Sequence, residues 1–280
     1  MLNKHIGLVA ETDQITHSEL TRVAAALQKQ VTRDFGPIWE VRADVSAFAK
    51  LEDVPTDYWS VIVQSDINTP GAAGVHQDRD GQPFALVQFS NDWSLTASHE
   101  TLEMLCDPFG QRLVAGQSPK PRQGRVNFLI EVCDPSEDRP FAYTVNGVTV
   151  SDFYTPNFFD PVTAPGVRYS FTGAITKPRT ILKGGYLSWG VPETNEWFQM
   201  IWIDSPKPKF RNLGVLSEKL TGSLRSTIDR LTPTPLETKP LPDKAAPVLA
   251  ARKAYSTVGS ASSARAAALR EQIKTIKAGK

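Results

Sequence analysis

The chain alternates between two hydrophobic periods, and the changes of period mark out its elements. Residues 4–10, KHIGLVA, form the short apolar run of a buried strand. Residues 18–33 place Leu20, Val23, Ala24, Leu27 and Val31 at helical spacing, with Ser18 where an N-cap is expected. Two stretches rich in β-branched and aromatic residues, 38–48 and 57–67, predict strands, and a Gly-rich excursion over 69–83 leads into a further strand at 83–90. A helix is predicted over 94–106. Its buried face would carry Leu95, Leu102, Leu105 and Cys106, and Asp107-Pro108 stops it.

The second half leans toward β-structure and is rich in loops. Residues 124–135, GRVNFLIEVCDP, read as helical or extended, whereas 141–155 predict a hairpin about Asn146-Gly147. Residues 184–204 predict two aromatic strands about the turn Pro192-Glu193-Thr194-Asn195. Beyond 205 come SPKPKF, a short helical candidate at 216–231 and a Pro-rich stretch at 232–247 that favours extended linker conformations. The expected organisation is a domain over 1–204, a Pro-rich linker with a short helix over 205–250, and a basic tail over 251–280. That tail sets seven Lys and Arg residues against Glu271 alone, and its Ala-rich part, 262–277, predicts a helix standing apart from the core.

Composition narrows the class without naming a partner. With 280 residues, 40% of them hydrophobic, the chain can bury a sizeable core. Lys and Arg number 31 against 30 Asp and Glu, so no global field points the core to nucleic acid or to a membrane. No apolar run is long enough to span a bilayer, and the N-terminal stretch is too short for a secretory h-region. Synthesis in the cytoplasm is expected, with assembly into a virion or export by a non-classical route as further fates. Cys106 and Cys133 are too few for a disulfide framework and read as reduced, buried thiols.

The candidate chemistry lies in the predicted helix, as His99-Glu100-Thr101-Leu102-Glu103. Residues i and i+4 share a helix face, so His99 and Glu103 can grip one ion. Glu100, about 100° round the helix, can reach a water on that ion as general base. This is the HExxH arrangement with a carboxylate for the second histidine. Two protein ligands under-coordinate a catalytic zinc, so a third is needed. Asp107 fails on geometry, lying about 12 Å along the helix and about 80° off the shared face. Glu131 is the better third ligand, and Asp134 can orient His99 from its far nitrogen.

His99-Glu100-xx-Glu103 followed by Glu131-xx-Asp134 resembles the zincin metallopeptidases of the gluzincin type, over residues 1–160. The HETLEMLCDP and EVCDP blocks are also similar to poorly characterised bacterial and phage zincin-like proteins. The resemblance implies an α+β, zincin-like fold with a mixed sheet and a metal-site helix, followed by a loop-rich, β-leaning second part and an extended C-terminal tail. It implies a metal-dependent hydrolase, a peptidase acting on peptide or protein substrates, with Zn2+ as cofactor.

Two carboxylate ligands beside one imidazole, with Glu100 as a further negative group, leave a bound ion nearly neutralised, which acidifies water less and admits Mn2+ or Ca2+ as alternatives. Tyr154 is the candidate oxyanion donor, ahead of Tyr143, Tyr169 and Tyr186, and His76 reads as a surface-loop histidine. A Cys106, Cys133 and His99 zinc site would leave Glu100 and Glu103 without a role. No P-loop, GxSxG or CxxC motif occurs, and no GxGxxG in a βαβ setting. The alternative function is a catalytically weak or inactive zincin scaffold, a structural or binding component of a phage particle or secretion assembly. Its basic tail would then dock a protein partner.

Overall fold

The computed structural model of the chain describes residues 2–216, 222–232 and 258–278. The first apolar run forms β1 (Lys4–Glu11), and the helical period that follows forms α1 (His17–Lys29). Thr16, two residues before the expected cap, is the N-cap, and its hydroxyl accepts the Glu19 amide at 3.2 Å. The helix widens into a π-turn over Gln30–Phe35 before a short α2 (Gly36–Trp39). Gly36 is required there, because a Cβ would lie 2.5 Å from the Val41 carbonyl oxygen.

Strands β2 (Ala43–Phe48), β3 (Trp59–Gln64), β4 (Gly74–Arg79) and β5 (Gln82–Gln88) complete a mixed sheet in the order β2-β1-β3-β5-β4. Four strands are parallel, and β4 runs antiparallel to β5 at the edge. The register sets Ile6 beside Val45, Leu8 beside Val61 and Val61 beside Ala85, so buried aliphatic side chains line one face. Against this sheet lies α3 (Trp93–Cys106), the predicted motif helix, packed on β3, β4 and β5.

The second sheet is antiparallel throughout. Strands β6 (Leu113–Gln117), β7 (Arg125–Leu129), β10 (Tyr186–Gly190), β11 (Glu196–Ile201) and β12 (Lys209–Val215) stand in the order β12-β11-β10-β7-β6. Between them, β8 (Tyr143–Val145) and β9 (Val148–Val150) form the expected hairpin, with Asn146 at φ 51° and Gly147 at φ 74° in its turn. One buried apolar core joins both halves, from Ile6 and Leu8 through Leu102 and Phe128 to Trp189 and Met200.

Of the two forms expected for residues 124–135 the extended one is found: β7 ends at Leu129, and a 3-10 turn follows only at Asp134–Ser136. Two expectations are revised. The second sheet crosses the boundary expected after residue 204, because β12 pairs with β11. Below it, α4 (Leu224–Leu231) packs Ile228 against Leu129, Leu213 and Leu216. The basic C-terminal helix, α5 (Val258–Lys277), is tied to the rest of the chain, since Arg265 pairs with Asp160 and donates to Asn157. The Pro-rich stretch lies outside the described residues but for Thr232. No helix among the described residues is long and apolar enough to cross a membrane.

Candidate metal centre

Glu103 is the hub of the site. It is fully buried on α3, and its two oxygens have different surroundings. Oε1 accepts the Cys133 amide at 3.0 Å, which fixes the carboxylate. Oε2 faces His99 Nε2 at 3.3 Å, the i,i+4 approach expected of the motif. The Arg225 guanidinium lies 2.5 Å from the same oxygen, and His76 Nδ1 lies 3.9 Å away.

Asp134 and Glu131 come from the chain that leaves β7. Asp134 Oδ1 lies 3.0 Å from His99 Nε2, the nitrogen that also faces Glu103. Asp134 therefore takes a ligand-like place and does not support the far nitrogen of His99. Glu131 turns toward Arg225, with Oε1 3.4 Å from Nη1, and its amide donates to the Tyr154 hydroxyl at 3.1 Å. Tyr154 is wholly buried, its ring stacked on Phe158 at 4.4 Å, so it stands under the site as a core residue. That hydroxyl accepts the Glu131 amide, so a lone pair and not its hydrogen is engaged. Asp107 is kept from the centre as expected. Its carboxylate accepts the Arg112 amide at 2.7 Å, while its backbone carbonyl serves His76.

Glu100 reaches from α3 toward β4, with Oε2 3.4 Å from His76 Nδ1. His76 is a buried member of β4 and not a loop residue; its Nε2 lies 3.0 Å from the Asp107 carbonyl oxygen. Asp80-Gly81 is a strong short hairpin signal, and it precedes the apolar stretch of β5, with both residues at positive φ. That signal would have put His76 on a strand beside the motif helix.

Arg225 and Asp229 had no comparable local signal. Arg225 is delivered by α4, where the Ser223 hydroxyl caps the helix, the Arg225 amide donates to the Gly110 carbonyl at 3.1 Å, and Asp229 lies 3.4 Å from Nε. Only the fold shows that this arginine enters the cluster.

The electrostatics follow from burial and from these pairs. Burial opposes ionisation of Glu103, but Arg225 and His99 outweigh it and hold the carboxyl at about 2. Burial likewise opposes charge on His99, yet Glu103 and its other neighbours raise it well above the ordinary imidazole value. Glu131 goes the other way, pushed well up by burial and by Asp134. Burial also raises both thiols, and Cys106 and Cys133 are free and buried as expected.

Two sets of side chains among the described residues bring three ligand atoms within 4.8 Å of one another: His76, Glu100 and Glu103, and His99, Glu103 and Asp134. Either could hold a metal ion; both contain Glu103, and neither contains Glu131 or a cysteine. His76 Nδ1, Glu100 Oε2, Glu103 Oε2, Glu131 Oε2 and both Asp134 oxygens are buried without a hydrogen bond among the described residues. Such groups are costly unless a cation or proton meets them. The donor set, imidazole nitrogen with carboxylate oxygen, suits a small divalent ion.

The chain matches no protein-family model, no curated protein and no solved structure.

Proposed function

We propose that the chain is a metal-dependent hydrolase of zincin-like design, with peptides as its substrates. His99, Glu103 and Asp134 would hold the ion. The observation that carries this reading is the convergence of buried carboxylate oxygens of Glu103 and Asp134 on His99 Nε2, at 3.3 and 3.0 Å. A bound ion supplies Lewis acidity and a water of lowered pKa. Glu100 would serve as the general base, taking a proton from the attacking water and giving it to the leaving amine. Burial opposes its ionisation, but neighbouring positive charge, that of His99 and Arg225 included, keeps Glu100 below the ordinary carboxylate value, so it is ionised and a weak base. Slow hydrolysis is the expected consequence.

Arg225 favours a second reading. Its guanidinium already supplies positive charge at Glu103, as an ion would, and the pair is buried. In that reading the chain is a catalytically silent scaffold, its basic helix serving to dock a protein partner. Metal content and peptide digestion separate the two. The hydrolase reading expects stoichiometric Zn2+ or Mn2+, lost in His99→Ala, and peptide cleavage reduced about 10²–10⁴-fold in Glu100→Gln. Metal-free protein, or equal inertness of wild type and Glu100→Gln, overturns it in favour of the scaffold.

A further inference from the structure

We propose a second cation position, on the His76 side of Glu103, formed by His76 Nδ1, Glu100 Oε2 and Glu103 Oε2. It deepens the metal reading above, with which it shares Glu103. The argument begins with the histidine tautomer. His76 Nε2 lies 3.0 Å from the Asp107 carbonyl oxygen, which can only accept, so Nε2 carries a hydrogen. In a neutral imidazole the other nitrogen then presents a lone pair. That lone pair lies 3.4 Å from Glu100 Oε2 and 3.9 Å from Glu103 Oε2; His76 Nδ1 and Glu100 Oε2 have no hydrogen bond, while Glu103 Oε2 meets the Arg225 and His99 ion pairs. His76 is 1% exposed, Glu100 3% and Glu103 0%, so bulk water does not solvate the convergence.

A proton or a cation must relieve it, and the distances favour the cation. An imidazolium facing a carboxylate makes a charge-assisted bond of about 2.7–2.9 Å. Ligands that share an ion at about 2.0–2.2 Å from each stand about 3–4 Å apart, as His76 Nδ1 does from each of the two carboxylate oxygens. Charge balance points the same way. Arg225 already lies 2.5 Å from Glu103 Oε2, the oxygen both positions share, whereas Glu100 has no ion-pair partner other than His76 among the described residues and is the carboxylate left to be neutralised.

The backbone also accommodates the carboxylate. At Gly74, the first residue of β4, a Cβ would lie 2.7 Å from Glu100 Oε1 and 2.6 Å from Thr96 Cγ2. The missing side chain is what lets Glu100 lie against the strand beside His76. One nitrogen and two carboxylate oxygens suit Zn2+ or Mn2+. With both positions filled, Glu103 would bridge ions about 3.5–4 Å apart, the spacing of two-metal hydrolytic sites. Glu100→Gln then removes a ligand as well as a base, so its metal content must be measured beside its activity.

The test uses the full chain, Zn2+ alone as probe, and two readouts. The first is Zn2+ stoichiometry in wild type, His76→Gln and His99→Ala; the glutamine amide can still donate to the Asp107 carbonyl and so preserve the fold. The expected result is two equivalents in wild type, with one lost in each variant. The second readout needs no substitution: in 15N-histidine-labelled wild type, one imidazole shifts at Nδ1 on Zn2+ addition while its Nε2 stays protonated. Wild-type Zn2+ uptake by His76→Gln, with no imidazole coordinated through Nδ1, overturns the proposal. One equivalent lost only in His99→Ala leaves the hydrolase reading standing and this position rejected. One equivalent lost only in His76→Gln does the reverse. No Zn2+ uptake by wild type rejects both.

Discussion

Burial decides the behaviour of single residues throughout this molecule, and Asp152 shows it away from the candidate centre. It is fully buried, and its carboxylate accepts the Thr172 amide and hydroxyl, each at 2.9 Å. Burial raises its pKa above the ordinary value, against the pull of those hydrogen bonds. A carboxyl whose folded pKa is raised binds its proton more tightly when folded, so its contribution to stability improves as pH falls through the folded pKa. Above that pH the ionised form is a cost. Asparagine can keep both contacts without the charge. Asp152→Asn should therefore raise the melting temperature at pH 8 and leave it unchanged at pH 3.5, as measured by calorimetry. An equal shift at both pH values would show that packing, and not ionisation, is responsible.

At the scale of elements, the π-turn after α1 ties the motif helix to the hairpin. Gln30 is fully buried; its amide donates to the Ser151 carbonyl at 3.0 Å and its carbonyl accepts the Ser98 hydroxyl at 2.8 Å. Ser98 Oγ in turn accepts the Ser151 amide at 2.9 Å. Gln30→Leu strands these polar groups next to His99 and should cost about 2–4 kcal/mol in urea unfolding, because each orphaned buried group costs about 1–3 kcal/mol.

The elements themselves were largely legible. Local periodicity marked β1, α1, β3, β5, α3 and both aromatic strands of the second sheet, and Asn146-Gly147 marked the hairpin. The i,i+4 rule joined His99 to Glu103. What escaped was set by long-range packing or by turn chemistry passed over. Asp134 meets His99 through an irregular segment whose path no period describes, and Arg225 arrives from a helix that reads locally as part of a linker. His76 was hidden because the glycines of 69–83 suggested a loop, although Asp80-Gly81 contained the contrary signal.

For the whole molecule, the two ends of the C-terminal region differ in weight. Arg265 is 43% exposed where it meets Asp160, but Asp160 is buried, and a buried polar group left without its partner costs about 1–3 kcal/mol. A chain ending at residue 257 should lose about 1–3 kcal/mol of stability. One ending at residue 216 also loses α4, and with it Ile228 and the only guanidinium among the described residues within ion-pair distance of Glu103. Removing one partner of a buried pair costs about 3–5 kcal/mol, so this chain should unfold at markedly lower denaturant.

The same long reach of Arg225, which meets Glu131 across 94 residues of sequence, has a kinetic consequence. Ligands gathered from β4, α3 and the segment after β7, with their counter-charge on α4, come together only when nearly all of the chain has found its place. Interactions absent from the folding transition state act on the unfolding rate alone. Added Zn2+ should accordingly slow unfolding in stopped-flow measurements while leaving the refolding rate unchanged, which would make an ion here a latch on a finished structure.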